Sequence, residues 1–318
     1  MLTIVSAGLQ STLQGAPRRG ARHQGLPWAG PADPLSLALA NRLVGLPAAA
    51  LGVEITLGGF EARFDVDAIF ALAGAPCAAT LDGSPVRLHR SHRAAAGATL
   101  VLPPPETGMR TYLAVEGGMI AAAAFGSAST YLPARIGGLH GRSLQPGDVL
   151  KFRARAALLP ALESQAALET PAALRLAPQK AAALRATPSA ETSRLAPSSR
   201  EALFASDFRV SRQVDRTGVR LDGVTLELRS DGRMKSAAAF PGLVQCPEDG
   251  APIILGADAQ TTGGYPRIAS IARCDRHLIG QLRPGATVRL LSRTFEDATA
   301  ELVEKSTLVR GWIPDFTF

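Results

Sequence analysis

The sequence predicts a mainly β chain, built as two related β-domains with a few short helices, and three observations carry that prediction. The first is the supply of turn residues. With 31 glycines and 23 prolines among 318 residues, apolar residues alternate over short runs bounded by turns, as short strands require. The second is a duplicated turn. Leu144-Gln145-Pro146-Gly147 leads into the alternating run 148–152, and Leu282-Arg283-Pro284-Gly285 leads into 286–290. Pro-Gly makes a tight turn, and the alternation gives the following strand one buried face. The third lies upstream of each copy, where a strand runs into a glycine pair. Tyr112–Val115 precedes Gly117-Gly118, and Ile254-Leu255 precedes Gly263-Gly264.

Further strands are predicted at 53–57, 68–73, 99–102, 111–115, 149–152, 253–257 and 286–291 from the same alternation. One helix has a well-marked start: Asp33 is the N-cap and Pro34 the first helical residue. Leu35, Leu39 and Leu43 form its apolar stripe, and Gly45 ends it. A second short helix is expected after Ser198 or Ser199, a third near Asp275, and an amphipathic surface helix over 296–305. The first domain is placed at 1–155. Residues 156–200, rich in Ala, Pro, Ser and Thr and interrupted by Pro178 and Pro188, read as a linker. The second domain is placed at 201–293 with a strand contributed by 172–178, and 294–318 form a C-terminal tail.

Composition excludes several classes of function. The net charge is +7 and 5% of residues are aromatic. The arginines are scattered and stacking residues are few, which argues against nucleic-acid binding. The start, Met1-Leu2-Thr3-Ile4-Val5, lacks the basic and apolar regions of a signal peptide. The most apolar run, 68–81, contains Gly74 and Pro76 and is too short to span a bilayer. Cys77, Cys246 and Cys274 are few, odd in number and far apart, so neither a disulfide framework nor a zinc site is expected, and a cytoplasmic location fits. Among the five histidines only His89 and His92 are close, in a run that reads as a solvated basic strand edge, so no metal site is expected. No phosphate-binding P-loop, dinucleotide fingerprint or zinc-protease motif occurs. The pair Met234-Lys235 lacks the flanks of a biotin-carrying turn, so Lys235 reads as a loop lysine.

Three polar clusters remain. Ala257-Asp258-Ala259-Gln260-Thr261-Thr262-Gly263-Gly264-Tyr265-Pro266 gathers amide, hydroxyl, glycine and phenol groups after a strand. Gln260 offers a donor and an acceptor, suited to a cyclic amide or a ureido group, and the glycines permit close backbone approach. The same groups could equally form a turn that caps its own backbone. The second cluster runs from Gln213 to Leu221. Its adjacent Asp215 and Arg216 must point to opposite sides of an extended segment, with Arg216 able to grip a carboxylate and Asp215 to act as a base. A surface ion pair is the plainer alternative. The third is the long loop from Thr12 through His23 to Asp33, of a length that is often functional.

Taken in order, these segments resemble the biotin-dependent carboxyltransferase family. Its members include the C subunits of 5-oxoprolinases, the carboxyltransferase part of urea carboxylase and KipA-like regulators. The landmarks are Thr12-Leu13-Gln14 with Arg18 and Gly20, Asn41-Arg42-Leu43-Val44-Gly45, Glu54-Ile55-Thr56-Leu57-Gly58-Gly59 and Arg110 through Gly118. They continue with Gly126-Ser127-Ala128-Ser129-Thr130-Tyr131, Gly141-Arg142 with Gly147-Asp148, Asp215-Arg216 with Gly218, and Gln260 through Pro266. The chain departs from the family pattern at Gly15, where an aspartate is usual, at Pro17, where a glycine is usual, and in the loop 231–245.

The resemblance implies tandem cyclophilin-like β-barrel domains. It implies a KipI-like B subunit as partner and, in the 5-oxoprolinase version, a LamB/YcsF-like A subunit. That complex would use ATP as co-substrate to open 5-oxo-L-proline to L-glutamate, by phosphorylating the amide oxygen. In the urea carboxylase version, carboxylate would pass from biotin presented by a separate carrier to urea. A KipA-like member would instead bind its partner without turnover. The residues implied in catalysis are Asp215, Arg216, Gln260 and Tyr265. Substrate contacts are implied for Gln14, Arg18, Tyr131, Thr261, Thr262, Gly263 and Gly264.

Overall fold

The computed structural model describes residues 1–153, 168–175, 180–229 and 234–318. The chain divides into two compact units, the first comprising Met1–Arg18, Pro34–Pro178 and Trp312–Phe316, the second Arg19–Asp33, Gln179–Gly311 and Thr317–Phe318. Both are β-rich, as predicted.

The first unit carries strands β1 (Leu2–Ala7), β2 (Gln10–Gln14), β3 (Gly52–Thr56), β4 (Phe60–Phe64), β5 (Ala68–Gly74) and β6 (Thr80–Leu81). It continues with β7 (Ser84–Pro85), β8 (Ser91–Ala94), β9 (Thr99–Leu102), β10 (Arg110–Val115), β11 (Met119–Ile120) and β12 (Val149–Phe152), and helix α1 (Pro34–Leu43) joins β2 to β3. One sheet has the order β11-β12-β1-β4-β9-β6-β7, the other β2-β3-β10-β5-β8. Alternation sends Phe60, Ala62 and Phe64 of β4, and Leu113 and Val115 of β10, into one shared core. The remaining face of β10 is covered by α1, which is why every residue of β10 is buried. Gly52 permits that packing: a Cβ there would stand 2.7 Å from Leu37 Cδ1 on α1.

In the second unit β13 (Ala181–Pro188), β14 (Asp207–Val214), β15 (Gly218–Asp222), β17 (Leu243–Gln245), β18 (Ile253–Leu255), β20 (Arg267–Ile271) and β21 (Thr287–Ser292) are barrel strands, and β16 (Ala237–Ala238) and β19 (Thr262–Gly263) are an outlying pair. The barrel closes in the order β13-β20-β17-β18-β15-β14-β21. Leu184, Phe208, Val219, Ile254, Ile268 and Leu290 belong to its core. Helices α2 (Pro197–Ala205) and α3 (Phe295–Arg310) and a 3₁₀ segment over Arg273–Gln281 accompany the barrel.

The duplicated turn is present in both units with the same bonding. Asp148 N–H donates to Gln145 O at 3.1 Å and Ala286 N–H to Arg283 O at 3.1 Å. Gly147 and Gly285 occupy the left-handed region at φ 87° and 84°, which the third position of such a turn requires. Each of these glycines also donates to a neighbouring strand, to Ile4 O and to Val210 O.

Four expectations differ from the structure. His89, read as part of a solvated strand edge, is buried. The stretch read as a linker contains β13, which pairs parallel with β21 and antiparallel with β20. Within 172–178, residues Ala172–Leu174 form a 3₁₀ turn and the end of the stretch lies outside the described residues. The tail holds α3, longer than the predicted 296–305 and capped by Thr294, whose hydroxyl accepts from Asp297 N–H at 3.0 Å. Among the described residues no helix is long and apolar enough to cross a membrane.

Candidate functional site

In the second unit the Gln260–Tyr265 segment folds over β17 as an outlying arm. β19 pairs with β16 at Ala238↔Thr262 and Ala237↔Gly263, and Ala239 N–H donates to Thr261 O at 3.0 Å. Beneath it, the pairing of β17 with β20 shifts register between Val244 and Gln245, a local bulge that re-aims side chains. Val244 points into the barrel core. Leu243 belongs to a small apolar cluster with Ala239, Leu255 and Ala259, and alternation places Gln245 on that same outer face.

Gln245 is only 2% exposed. Its Oε1 accepts from Gln260 Nε2 at 3.1 Å, while its own Nε2 is buried with no acceptor. A Cβ at Gly263 would lie 2.8 Å from that nitrogen, so the glycine leaves room for the amide beneath the arm. A buried donor without a partner costs about 1–3 kcal/mol, which makes it a group awaiting an acceptor.

Beside the arm is a cleft of about 540 Å³ lined by Arg22, His23, Trp28, Phe240, Thr261 and Thr262, together with small residues. Arg22 is set there by a 3₁₀ turn over Arg22–Gln24 that Gly25 closes at φ 81°. Its Nη2 donates to Ala239 O and, at 3.4 Å, to Thr261 O, and its guanidinium lies 5.1 Å from the Trp28 ring centroid. Nη1 is buried with no acceptor, and burial lowers the pKa of the group from its ordinary value. On Phe240 lies a second arginine, Arg276, 5.7 Å from the ring centroid. Burial, reinforced by Arg273, brings its pKa down to about 10.

The Asp215-Arg216 pair divides as alternation requires, Asp215 exposed and Arg216 buried. The carboxylate that Arg216 grips belongs to its own chain: Nε and Nη2 donate to Asp258 at 2.8 and 2.9 Å, and Nη2 also to Gly30 O at 2.6 Å. Asp215 Oδ1 accepts from Thr217 N–H and Gly218 N–H at 2.7 and 3.1 Å, capping its own turn. Thr262 and Tyr265 are exposed, Gly264 half-buried.

Gln14, Arg18 and Tyr131 belong to the first unit. Arg18, fully buried, donates from Nε to Ala124 O at 3.0 Å and from Nη2 to Ser129 O at 2.8 Å. Gln14 Nε2 donates to Thr12 Oγ1 and Thr130 O at 3.0 and 3.1 Å, and its Oε1 is buried without a donor. Tyr131 is bridged through its backbone to Ile136. The serine-rich motif fastens the first loop: Ser129 Oγ accepts from Gly15 N–H at 2.9 Å, and Ser127 Oγ donates to Ala16 O at 2.6 Å.

Arg22 and Trp28 are not singled out by the sequence, and Gln245 enters it only as the retained end of a family motif, Gln245-Cys246-Pro247, with no site role. The long loop that carries Arg22 and Trp28 is singled out, but there the resemblance marks Arg18, and nothing marks Arg22. The cysteines are free, and burial raises all three thiol pKa values, that of Cys246 to about 11, which suits packing rather than nucleophilic attack.

Residues 24–292 match the model of the carboxyltransferase domain, subdomain A and B. The chain is 38% identical to the 5-oxoprolinase C subunit of Escherichia coli over 94% of its own length and 93% of that protein. It is 35% identical to the corresponding C subunit of Haemophilus influenzae 5-oxoprolinase over 97% and 96% of the two chains. The fold superposes on the Kluyveromyces lactis urea carboxylase crystal structure with a TM-score of 0.90 at 23% identity. That match covers 98% of this chain and 29% of the other.

Proposed function

The chain belongs to the carboxyltransferase domain family, subdomains A and B, and from that membership we propose that it is the C subunit of an ATP-dependent 5-oxoprolinase. With a KipI-like B subunit and a LamB/YcsF-like A subunit it opens 5-oxo-L-proline to L-glutamate, acting as part of a hydrolase for a cyclic amide. The carrying observation is the near full-length match to two bacterial 5-oxoprolinase C subunits. The chemistry of the arm supports it. A lactam presents a carbonyl oxygen and an N–H side by side. Gln245 Nε2 is a buried donor lacking an acceptor, and Gln260, bonded to Gln245, supplies a carbonyl acceptor. Lactam oxygen to Gln245 and lactam N–H to Gln260 orient the ring and polarise its C=O bond. The cleft beside the arm offers the rings of Trp28 and Phe240 to pack against the substrate.

The family name favours a second reading, carboxyl transfer. A biotin ureido group presents the same oxygen and N–H edge, so Gln245 and Gln260 fit it as they fit a lactam. Biotin on a separate carrier would supply the carboxyl group to be transferred. ATP enters the 5-oxoprolinase reaction as a co-substrate of the assembled subunits, and the residues described above include no phosphate cradle assigned to it.

Co-expression with the A and B subunits, followed by assay of glutamate from 5-oxoproline, tests the proposal. ATP-dependent turnover is expected from the complex and none from this chain alone. A stable complex with B that forms no glutamate would instead support a KipA-like binding role, and carboxylation of urea by added carboxybiotin carrier the second reading.

A further inference from the structure

The cleft of the second unit contains an anchoring group that neither amide recognition nor the fold requires. None of its lining residues is acidic, and among the described residues Arg22 and Arg276 form no ion pair with any carboxylate. Elsewhere in this unit arginines do find acids: Arg216 with Asp258, Arg185 with Asp275, Arg267 with Glu191 and Arg220 with Asp249. A half-buried guanidinium against an indole ring, with one nitrogen sealed from solvent and unbonded, is a cation held in place with its counter-charge missing. Burial already disfavours the charged form, so a bound anion would recover much of that cost. The arginine's two backbone bonds fix its plane, and a guanidinium whose rotamer is already set loses little entropy on pairing.

We propose that Arg22 is the specificity-determining residue of this site, pairing with a carboxylate on the substrate while the substrate's ring packs against Trp28 and Phe240. The 5-oxoproline of the proposed reaction carries such a carboxylate beside its lactam, and neutral amides such as urea lack it. The inference rests on the amide-opening reading for the lactam; the carboxylate preference stands on the cleft alone. Thr261 and Thr262 join the two parts. They line the cleft, and they separate Gln260 from Gly263 in the arm that covers Gln245.

The experiment uses the assembled A, B and C complex and reads binding and turnover separately. Calorimetric titration with 5-oxoproline and with 2-pyrrolidinone, the same lactam without its carboxylate, needs no variant. The wild-type complex should bind 5-oxoproline more tightly by about 10- to 100-fold, the range of a charge-assisted bond. Arg22→Gln should erase that preference while leaving 2-pyrrolidinone binding unchanged, and Arg22→Lys should restore part of it. In turnover the loss should fall on KM. Equal affinity of the wild type for the two lactams would overturn the assignment. So would an Arg22→Gln variant that weakens both equally, since that marks a structural residue. If the complex makes no glutamate, the amide-opening reading fails, and the contrast between the two lactams still decides the role of Arg22.

Discussion

Gln260 Nε2 donates to Gln245 Oε1 at 3.1 Å, and the bond leaves the Gln245 Nε2 buried and without an acceptor. The relationship joins a barrel strand to the arm folded across it, and its logic is that of a half-finished hydrogen-bond chain. Because the unpaired donor costs stability, substituting it should separate folding from activity. Gln245→Leu removes the unmet donor and keeps the volume, so the free energy of unfolding measured in urea should hold or rise, by up to about 1 kcal/mol. Glutamate formation by the assembled complex should fall at least tenfold. A variant that loses both stability and activity would show that the amide is needed for packing alone.

Gly263→Ala probes the same amide from outside. Its Cβ would lie 2.8 Å from Gln245 Nε2, so the methyl displaces the end of that side chain. The backbone there requires no left-handed conformation, so thermal stability should change by less than about 1 kcal/mol. Activity should fall with the circular dichroism spectrum unchanged.

Arg216 and Asp258 form a buried bidentate pair, 5% and 4% exposed at their side chains. Removing one partner takes from the other its bidentate ion pair in a buried setting. Asp258→Ala or Arg216→Ala should therefore cost about 3–5 kcal/mol in denaturant unfolding. Loss of activity in either variant would reflect unfolding, and the double variant Arg216→Met, Asp258→Leu should recover much of the stability.

Two buried histidines set an acid limit on stability. Burial, chiefly, lowers the pKa of His277 to about 3 and that of His89 to about 4, with Lys305 and Arg175 adding repulsion. In the unfolded chain both sit near 6.5. Between pH 6.5 and these lower values the unfolded state binds more protons, so stability must fall as pH drops through that window and level off above it. Urea midpoints measured from pH 7.5 to 4.5 should show that slope, and His277→Gln should flatten it. An unchanged slope in His277→Gln would place the acid sensitivity elsewhere.

Gly15 stands where an aspartate is expected from the resemblance. A Cβ there would meet Ala49 O and Leu51 Cα at 3.1 Å, closer than the packing tolerates without movement. Gly15→Asp should lower thermal stability by about 1–3 kcal/mol, and should not raise turnover.

Much of the fold is readable because its signals are local. β9 has the predicted bounds, and the Pro-Gly turns announce both units through a bond pattern four residues long. β13 is hidden because five of its eight positions are Ala or Pro, weak strand formers, and its identity as a strand comes from pairing with β20 and β21. The site is readable in type and not in partner. Sequence puts Arg216 and a carboxylate together as an idea, but the carboxylate lies 42 residues on, within the chain. Gln245 is visible only as the end of a family motif, since its place beneath the arm depends on a register shift between distant strands. Arg22 likewise has meaning only beside Trp28 and the carbonyls of Ala239 and Thr261.

The most direct test of the account is ATP-dependent glutamate formation from 5-oxoproline by this chain assembled with its A and B subunits, with Gln245→Leu run alongside. The account predicts turnover by the wild-type complex and at least a tenfold loss in a Gln245→Leu complex that still assembles. No turnover from the intact assembly, or full turnover from Gln245→Leu, would contradict it.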